Sequence, residues 1–172
     1  YDAIIKWNKK RHDFQIERDW IVYSPGVVPA INWLIQSFTE PGDKIIIQEP
    51  VYHPFRLGIE ANGCIAINNQ LKFDGSKYVM DYEGFEASID EKTKLFILCS
   101  PHNPVGRVWT LEELKKIGEI CLKHNLLVIA DEIHGDLIYK GYKHIPFASI
   151  SDSLAKHSIT LNAPSKTFNL AG

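Results

Sequence analysis

Short apolar runs recur along the chain, each followed by a stretch of helical periodicity, and this alternation narrows the available folds more than any other feature. Lys44–Gln48 holds three consecutive isoleucines, Lys94–Cys99 is mostly apolar, Leu126–Ala130 reads Leu-Leu-Val-Ile-Ala, and Ser158–Leu161 is the last of the series. Runs without a polar face belong to strands covered on both sides, which is the condition of a parallel sheet. The expected fold class is therefore α/β: three layers, with a mostly parallel sheet flanked by helices.

Ile4, Ile5, Trp7 and Phe14, set among charged residues, predict an amphipathic helix over about 2–14. Trp20–Tyr23 reads as a short strand, and Ser24-Pro25-Gly26 turns the chain into a helix over about Val27–Phe38. Further helices are expected near His53–Ala61, over about Tyr82–Ile89, and over Leu111–His124, the last with Thr110 as N-cap and Glu113 at the capping-box position. Cys64–Asn68 is a further strand, and residues 69–81 read as polar and irregular.

A chain of 172 residues, 45% hydrophobic, has the length of one domain and enough apolar material for a core. A net charge of −2, with Lys and Arg spread evenly, gives no sign of nucleic-acid or anionic-membrane binding. No apolar run approaches the ~20 residues needed to span a bilayer, and no signal peptide opens the chain. Cys64, Cys99 and Cys121 are isolated thiols in apolar surroundings, without CxxC spacing. They read as buried, reduced cysteines of a cytoplasmic protein. His12, His124, His144 and His157 show no paired ligand spacing and are expected on the surface. The chain begins at Tyr1 rather than Met and stops six residues past Lys166, so it reads as a piece of a larger protein.

The polar residues with chemical potential fall just past strand ends. Lys166 lies in Ser165-Lys166-Thr167-Phe168-Asn169, Asp131 in Asp131-Glu132-Ile133-His134, and Asn103 in Asn103-Pro104-Val105-Gly106. An amine, a carboxylate and an amide at the carboxyl ends of an open sheet suit one task well: holding pyridoxal phosphate as a Schiff base. In that reading Lys166 is partly desolvated, Asp131 pairs with the protonated ring nitrogen from the water-facing rim, and Asn103 bonds the phenolic oxygen. Gly26, Val27 and Val28 start a helix whose free N–H groups suit a phosphate, with Ser165 beside them. Tyr52 would stack on the ring and lend its phenol to proton transfer, while Ile133 and His134 complete the cofactor contacts, His134 near the ring oxygen. No metal ligand is expected.

These motifs, in this order, resemble the fold-type-I pyridoxal-phosphate enzymes of the class I/II aminotransferase group. The Cys99–Gly106, Asp131–His134 and Ser165–Asn169 segments look most like the cystathionine β-lyase, or cysteine C–S lyase, branch. His134 carries weight, since typical aminotransferases of the group have Tyr at that point. The resemblance implies a lyase that cleaves cystathionine or a cysteine conjugate to thiol, pyruvate and ammonia, with an aminotransferase as the alternative. It implies that residues 1–172 are part of the large cofactor-binding domain. The small C-terminal domain, the N-terminal arm and the arginine that grips the substrate carboxylate would lie outside, and the full-length protein would be a homodimer. Ala163 departs from the pattern, because many relatives have a phosphate-binding Ser there.

Three other readings compete. Asp131-Glu132-Ile133-His134 spells a helicase DExH box, but that needs an upstream GxxxxGK[ST] loop, which the chain lacks. A metal hydrolase built on His102, Asp131, Glu132 and His134 would need adjacent strand residues, which face opposite ways, to share one ion. The third is a folded but catalytically inert fragment.

Overall fold

The computed structural model describes residues 1–171. In chain order the elements are α1 (Asp2–His12), α2 (Val27–Phe38), β1 (Lys44–Ile47), α3 (Pro54–Ala61), β2 (Ile65–Asn68), β3 (Lys72–Phe73), β4 (Tyr78–Val79), α4 (Tyr82–Ala87), β5 (Thr93–Cys99), α5 (Leu111–Lys123), β6 (Leu127–Asp131), α6 (Asp152–Lys156), β7 (Ser158–Leu161) and α7 (Pro164–Thr167). Single 3-10 turns lie at Arg18–Trp20 and Phe147–Ser149.

Five strands form one sheet in the order β2-β1-β5-β6-β7, and every pairing is parallel. Their side chains alternate between two cores. Ile45, Ile47, Leu95, Ile97, Cys99 and Ile129 pack with Val27, Ile31 and Ile35 of α2 and with Phe55 and Ile59 of α3. Ile46, Phe96, Leu98, Val128 and Ala130 pack with Phe85 of α4, with Leu114, Ile117 and Cys121 of α5, and with Leu154 of α6. Burial on both faces explains why the strands read as continuous apolar runs. The result is the expected three-layer α/β fold.

From β1 the chain steps outward to β2 and then returns past β1 to β5. That reversal puts the switch point of the sheet between β1 and β5, and open α/β sheets bind their ligands at the carboxyl ends there. The capping box of α5 is present as expected: Thr110 Oγ1 accepts the Glu113 N–H, and the Glu113 carboxylate accepts the Thr110 N–H.

Several expectations need correction. Trp20–Tyr23 is not a strand; after the 3-10 turn, Val22 and Tyr23 are 88% and 78% exposed. Their types suit a sheet, but no neighbouring edge is there to pair with them, and pairing decides. Residues 69–81 contain the two-stranded antiparallel β3–β4, closed by Asp74, whose Oδ1 accepts N–H groups from Ser76 and Lys77 at 2.9 Å. Helix α1 stops at His12, because Asp13 takes a left-handed conformation, φ 54°. His12 and His144 are buried, not on the surface, and their rings meet edge to face with centroids 5.2 Å apart. Their contact joins distant parts of the chain and so left no local pattern. All three cysteines are free and buried, with Cys64 just before β2 rather than within it. No described helix is long and apolar enough to cross a membrane.

Candidate active site

Parallel register lines up the carboxyl ends of β5, β6 and β7. Cys99 sits beside Asp131, and Asp131 beside Leu161, in one row across the sheet. Backbone bonds continue the alignment one step further, from Ser100 N to Asp131 O and from Glu132 N to Leu161 O, both 2.9 Å. Asn103 therefore follows β5, Asp131 ends β6, and Lys166 follows β7, while Tyr52 follows β1 on the far side of the switch point.

Asp131 ends its strand on the face shared with Ile129 and α2, by the two-residue period of a strand. It is 5% exposed, so the expected water-facing rim is corrected to a nearly closed site. Oδ1 accepts the Ile133 N–H at 3.2 Å, and among the described residues Oδ2 accepts nothing. Burial, and after it the nearby Glu132, push its carboxyl up to about 6; the Ile133 N–H and the Lys166 charge pull the other way. A carboxylate so placed is short of one cationic partner.

Lys166 lies on the one-turn α7, in which no residue is buried. It is exposed, not desolvated as expected, while its neighbours Ser165 and Thr167 are half-buried. Its charge bears on both Asp131 and His134. Burial, and then Lys166, hold the half-buried His134 below its ordinary range.

Asn103 is half-buried; its N–H donates to Cys99 Sγ at 3.4 Å, and its side-chain amide is bonded to no described residue. The loop carrying it is tied to the loop after β1 by His102, whose Nε2 lies 3.1 Å from Pro50 O and whose ring stands edge-on to Trp109 at 5.5 Å. Tyr52 is 36% exposed, with its ring edge-on to Phe55 at 5.8 Å. Burial, and then Asp131, push the Cys99 thiol up to about 12, so it takes no part as a nucleophile.

Gly26 is the N-cap of α2, and no side chain caps that helix. Ser24 Oγ accepts the Gly26 N–H at 3.4 Å, which leaves the Val27 and Val28 N–H groups free for an anion. Val27 points into the core, Val28 is 36% exposed, and Ser165 is half-buried. An open groove of about 500 Å³ beside β1, lined by Glu49, Pro50, Val51, His53 and Arg56 among others, contains neither Lys166 nor Asp131.

Glu132, one residue on, turns to the opposite face. Its Oε1 accepts the Phe147 N–H at 2.7 Å and its Oε2 lies 3.0 Å from His144 Nε2, so it is a structural group beneath the site. Sequence reasoning passed over Asp136, whose carboxylate bonds Thr167 and Trp7. A buried acid with partners so far away in the chain gives no local signal.

The chain spans less than half the length of the proteins it matches. It is 48% identical over 172 residues to cystathionine beta-lyase PatB of Bacillus subtilis, covering 99% of this chain and 44% of that one. Among solved structures, a PLP-bound protein of Clostridium difficile 630, provisionally classed as an aminotransferase, superposes with a TM-score of 0.96 at 53% identity, covering 98% of this chain and 44% of its own. Cystalysin of Treponema denticola, which contains a pyridoxal 5'-phosphate cofactor, also gives 0.96, at 46% identity over 98% of this chain and 43% of its own. The family model "Aminotransferase class I and II" matches residues 2–172. The chain belongs to the class I and II aminotransferase family.

Proposed function

We propose that the chain is the cofactor-binding part of a pyridoxal-phosphate-dependent carbon–sulfur β-lyase. Its substrate would be cystathionine or a related cysteine conjugate, and its products thiol, pyruvate and ammonia. The observation that carries the reading is the alignment of an amide, a carboxylate and an amine, Asn103, Asp131 and Lys166, after the carboxyl ends of β5, β6 and β7.

The donor set fits the cofactor. Asp131, nearly closed off and with Oδ2 unpartnered among the described residues, is suited to a cationic ring N–H. Lys166 Nζ would hold the aldehyde carbon as a Schiff base, and the Asn103 amide would bond the phenolic oxygen. The Val27 and Val28 N–H groups after Gly26, with the Ser165 hydroxyl, would take the phosphate. Tyr52 would stack on the ring, with Ile133 and His134 completing the contacts. When bound, pyridoxal phosphate supplies a cationic ring that absorbs the electron pair left at the substrate Cα. Lys166 Nζ would take the Cα proton, and the Tyr52 phenol would protonate the departing sulfur. The substrate class follows the relative named a cystathionine β-lyase, and His134, where typical aminotransferases have Tyr, supports the lyase.

The same reading makes the chain part of a large domain whose small domain, N-terminal arm and carboxylate-binding arginine lie outside it. A homodimer belongs to it as well, supported by the exposed Trp20, Val22 and Tyr23 just before the phosphate-binding turn. Three free, buried cysteines are in keeping with a cytoplasmic location. Because the chain spans 44% of its curated relative, a second reading has support: alone, it folds without turnover.

Pyridoxal phosphate added to the protein should raise an imine absorbance band that Lys166→Ala removes. Cystathionine should then yield pyruvate and thiol. A keto acid formed by amino-group exchange, without pyruvate, would assign an aminotransferase instead. Cofactor capture by the 172-residue chain without product would support the inert piece.

A further inference from the structure

The turn that carries Lys166 does little to hold itself in place. Helix α7 is four residues long, none of them buried, and no side chain caps its start. Phe168, which follows, is 51% exposed. A free turn of this kind could present a lysine in many directions.

Its anchor comes from elsewhere in the chain. Thr167 Oγ1 donates to Asp136 Oδ2 at 3.0 Å. The same oxygen accepts Trp7 Nε1–H at 2.9 Å, and the Trp7 ring meets Phe168 edge-on with centroids 5.3 Å apart. Arg11 Nε reaches Asp136 Oδ1 at 3.4 Å, and Arg11 Nη2 bonds the Asp136 carbonyl at 3.2 Å. His12 Nε2 lies 3.2 Å from Oδ1 but makes no hydrogen bond there. The Asp136 side chain is only 6% exposed. Burial works against its charge, yet the donors from Trp7 and Thr167 and the neighbouring His12 and Arg11 bring its carboxyl below the ordinary range. Asp136 is thus an ionised acceptor joining three segments: α1, the loop after β6, and the turn of Lys166.

We infer that Asp136 is a positioning residue for Lys166, gripping the adjacent Thr167 hydroxyl while Trp7 of α1 braces the turn through Phe168. Successive helical residues are rotated by about 100°, so fixing Thr167 against the carboxylate fixes the direction left for Lys166. A hydrogen bond to a charged acceptor is the strongest single contact available to such a turn. Asp136 itself touches no reacting atom. The inference rests on the assignment of Lys166 as the cofactor-binding amine, and it adds a brace that reaches back to the first helix of the chain.

The test uses the whole protein and reductive trapping: pyridoxal phosphate below saturation, borohydride, and mass mapping of the modified peptide. Thr167→Val keeps the shape and removes the hydroxyl, whereas Thr167→Ser restores it. Trapping on Lys166 should slow about tenfold in Thr167→Val and in Asp136→Leu, which has no acceptor, the size of one hydrogen bond to a charged group, and return to within about twofold in Thr167→Ser. The double variant should be no slower than the slower single one, because both changes remove the same bond. Wild-type trapping in a folded Thr167→Val, or in Asp136→Leu if the valine variant does not fold, would overturn the positioning role while leaving the Lys166 assignment intact. Equal trapping in Lys166→Ala and wild type would instead overturn that assignment and this inference with it.

Discussion

Asp131 and Glu132 are consecutive in the chain, and their carboxylates serve opposite faces of the sheet. Asp131 stands on the α2 side with one oxygen unpartnered among the described residues, whereas Glu132 is fully engaged by Phe147 N–H and His144. One pair of acids thus separates into a residue with a free oxygen and a residue committed to structure.

Asp131→Asn should hurt catalysis while helping the fold. Its folded carboxyl is raised to about 6 from the ordinary 3.8, so ionising it costs stability as pH rises between those values. The neutral amide should therefore stabilise the cofactor-free protein at pH 7 by up to ~2 kcal/mol, an advantage that fades below pH ~4. In the whole enzyme, turnover should fall by roughly 10²-fold, the usual loss for a preorganised charge. Thermal melts at the two pH values and steady-state rates check both halves; a variant that loses activity only by unfolding would make Asp131 merely structural.

Glu132→Ala should behave in the opposite way. It strands the Phe147 N–H and His144, both buried, and should cost about 2–4 kcal/mol in urea unfolding. Glu132→Gln, which keeps an acceptor for Phe147, should cost less than half as much. Trapping of cofactor on Lys166 should change little in folded Glu132→Gln.

His102 should set part of the acid limb of the stability curve. Burial holds its pKa down at about 4 against the ordinary 6.5. Between those values the unfolded chain takes a proton that the folded chain refuses, so stability falls as pH falls through that window. His102→Phe should lose about 1 kcal/mol at pH 7, where the bond to Pro50 O is broken, but should show a shallower decline from pH ~6.5 to ~4. Urea midpoints measured across that range would show whether the decline persists unchanged.

Gly118→Ala should be costly although it lies in mid-helix, where alanine is normally favoured. The added Cβ would lie 2.9 Å from both Leu154 methyl carbons and 3.3 Å from Phe147 Cζ. Overpacking of α5 against α6 should cost about 1–3 kcal/mol, read as a lower urea midpoint.

The sheet, the helices α2 and α5 and the residues at the strand ends were legible in the sequence because each is written locally: apolar runs for strands, Thr110 and Glu113 for a cap, prolines and glycines for turns. Trp20–Tyr23 misled because strand-forming residue types say nothing of whether a partner edge exists. His12 and His144 were misplaced, and Asp136 passed over, for a related reason. Their partners lie across the fold, and no periodicity announces a contact between α1 and the segments after β6. The exposure of Lys166 was equally illegible, since it depends on what packs over a single turn.

The row Cys99, Asp131, Leu161 has a consequence for which changes in chain length this fold can survive. The segment from Leu137 to Tyr142 includes several exposed residues and no strand, so insertions there should be absorbed. Deleting a single residue within Leu127–Ala130 is another matter. It would shift the strand by half a pleat, carry Glu132 to the α2 side and drop Asp131 beneath Phe147. Both acids would remain in the protein, and each would stand in the other's environment.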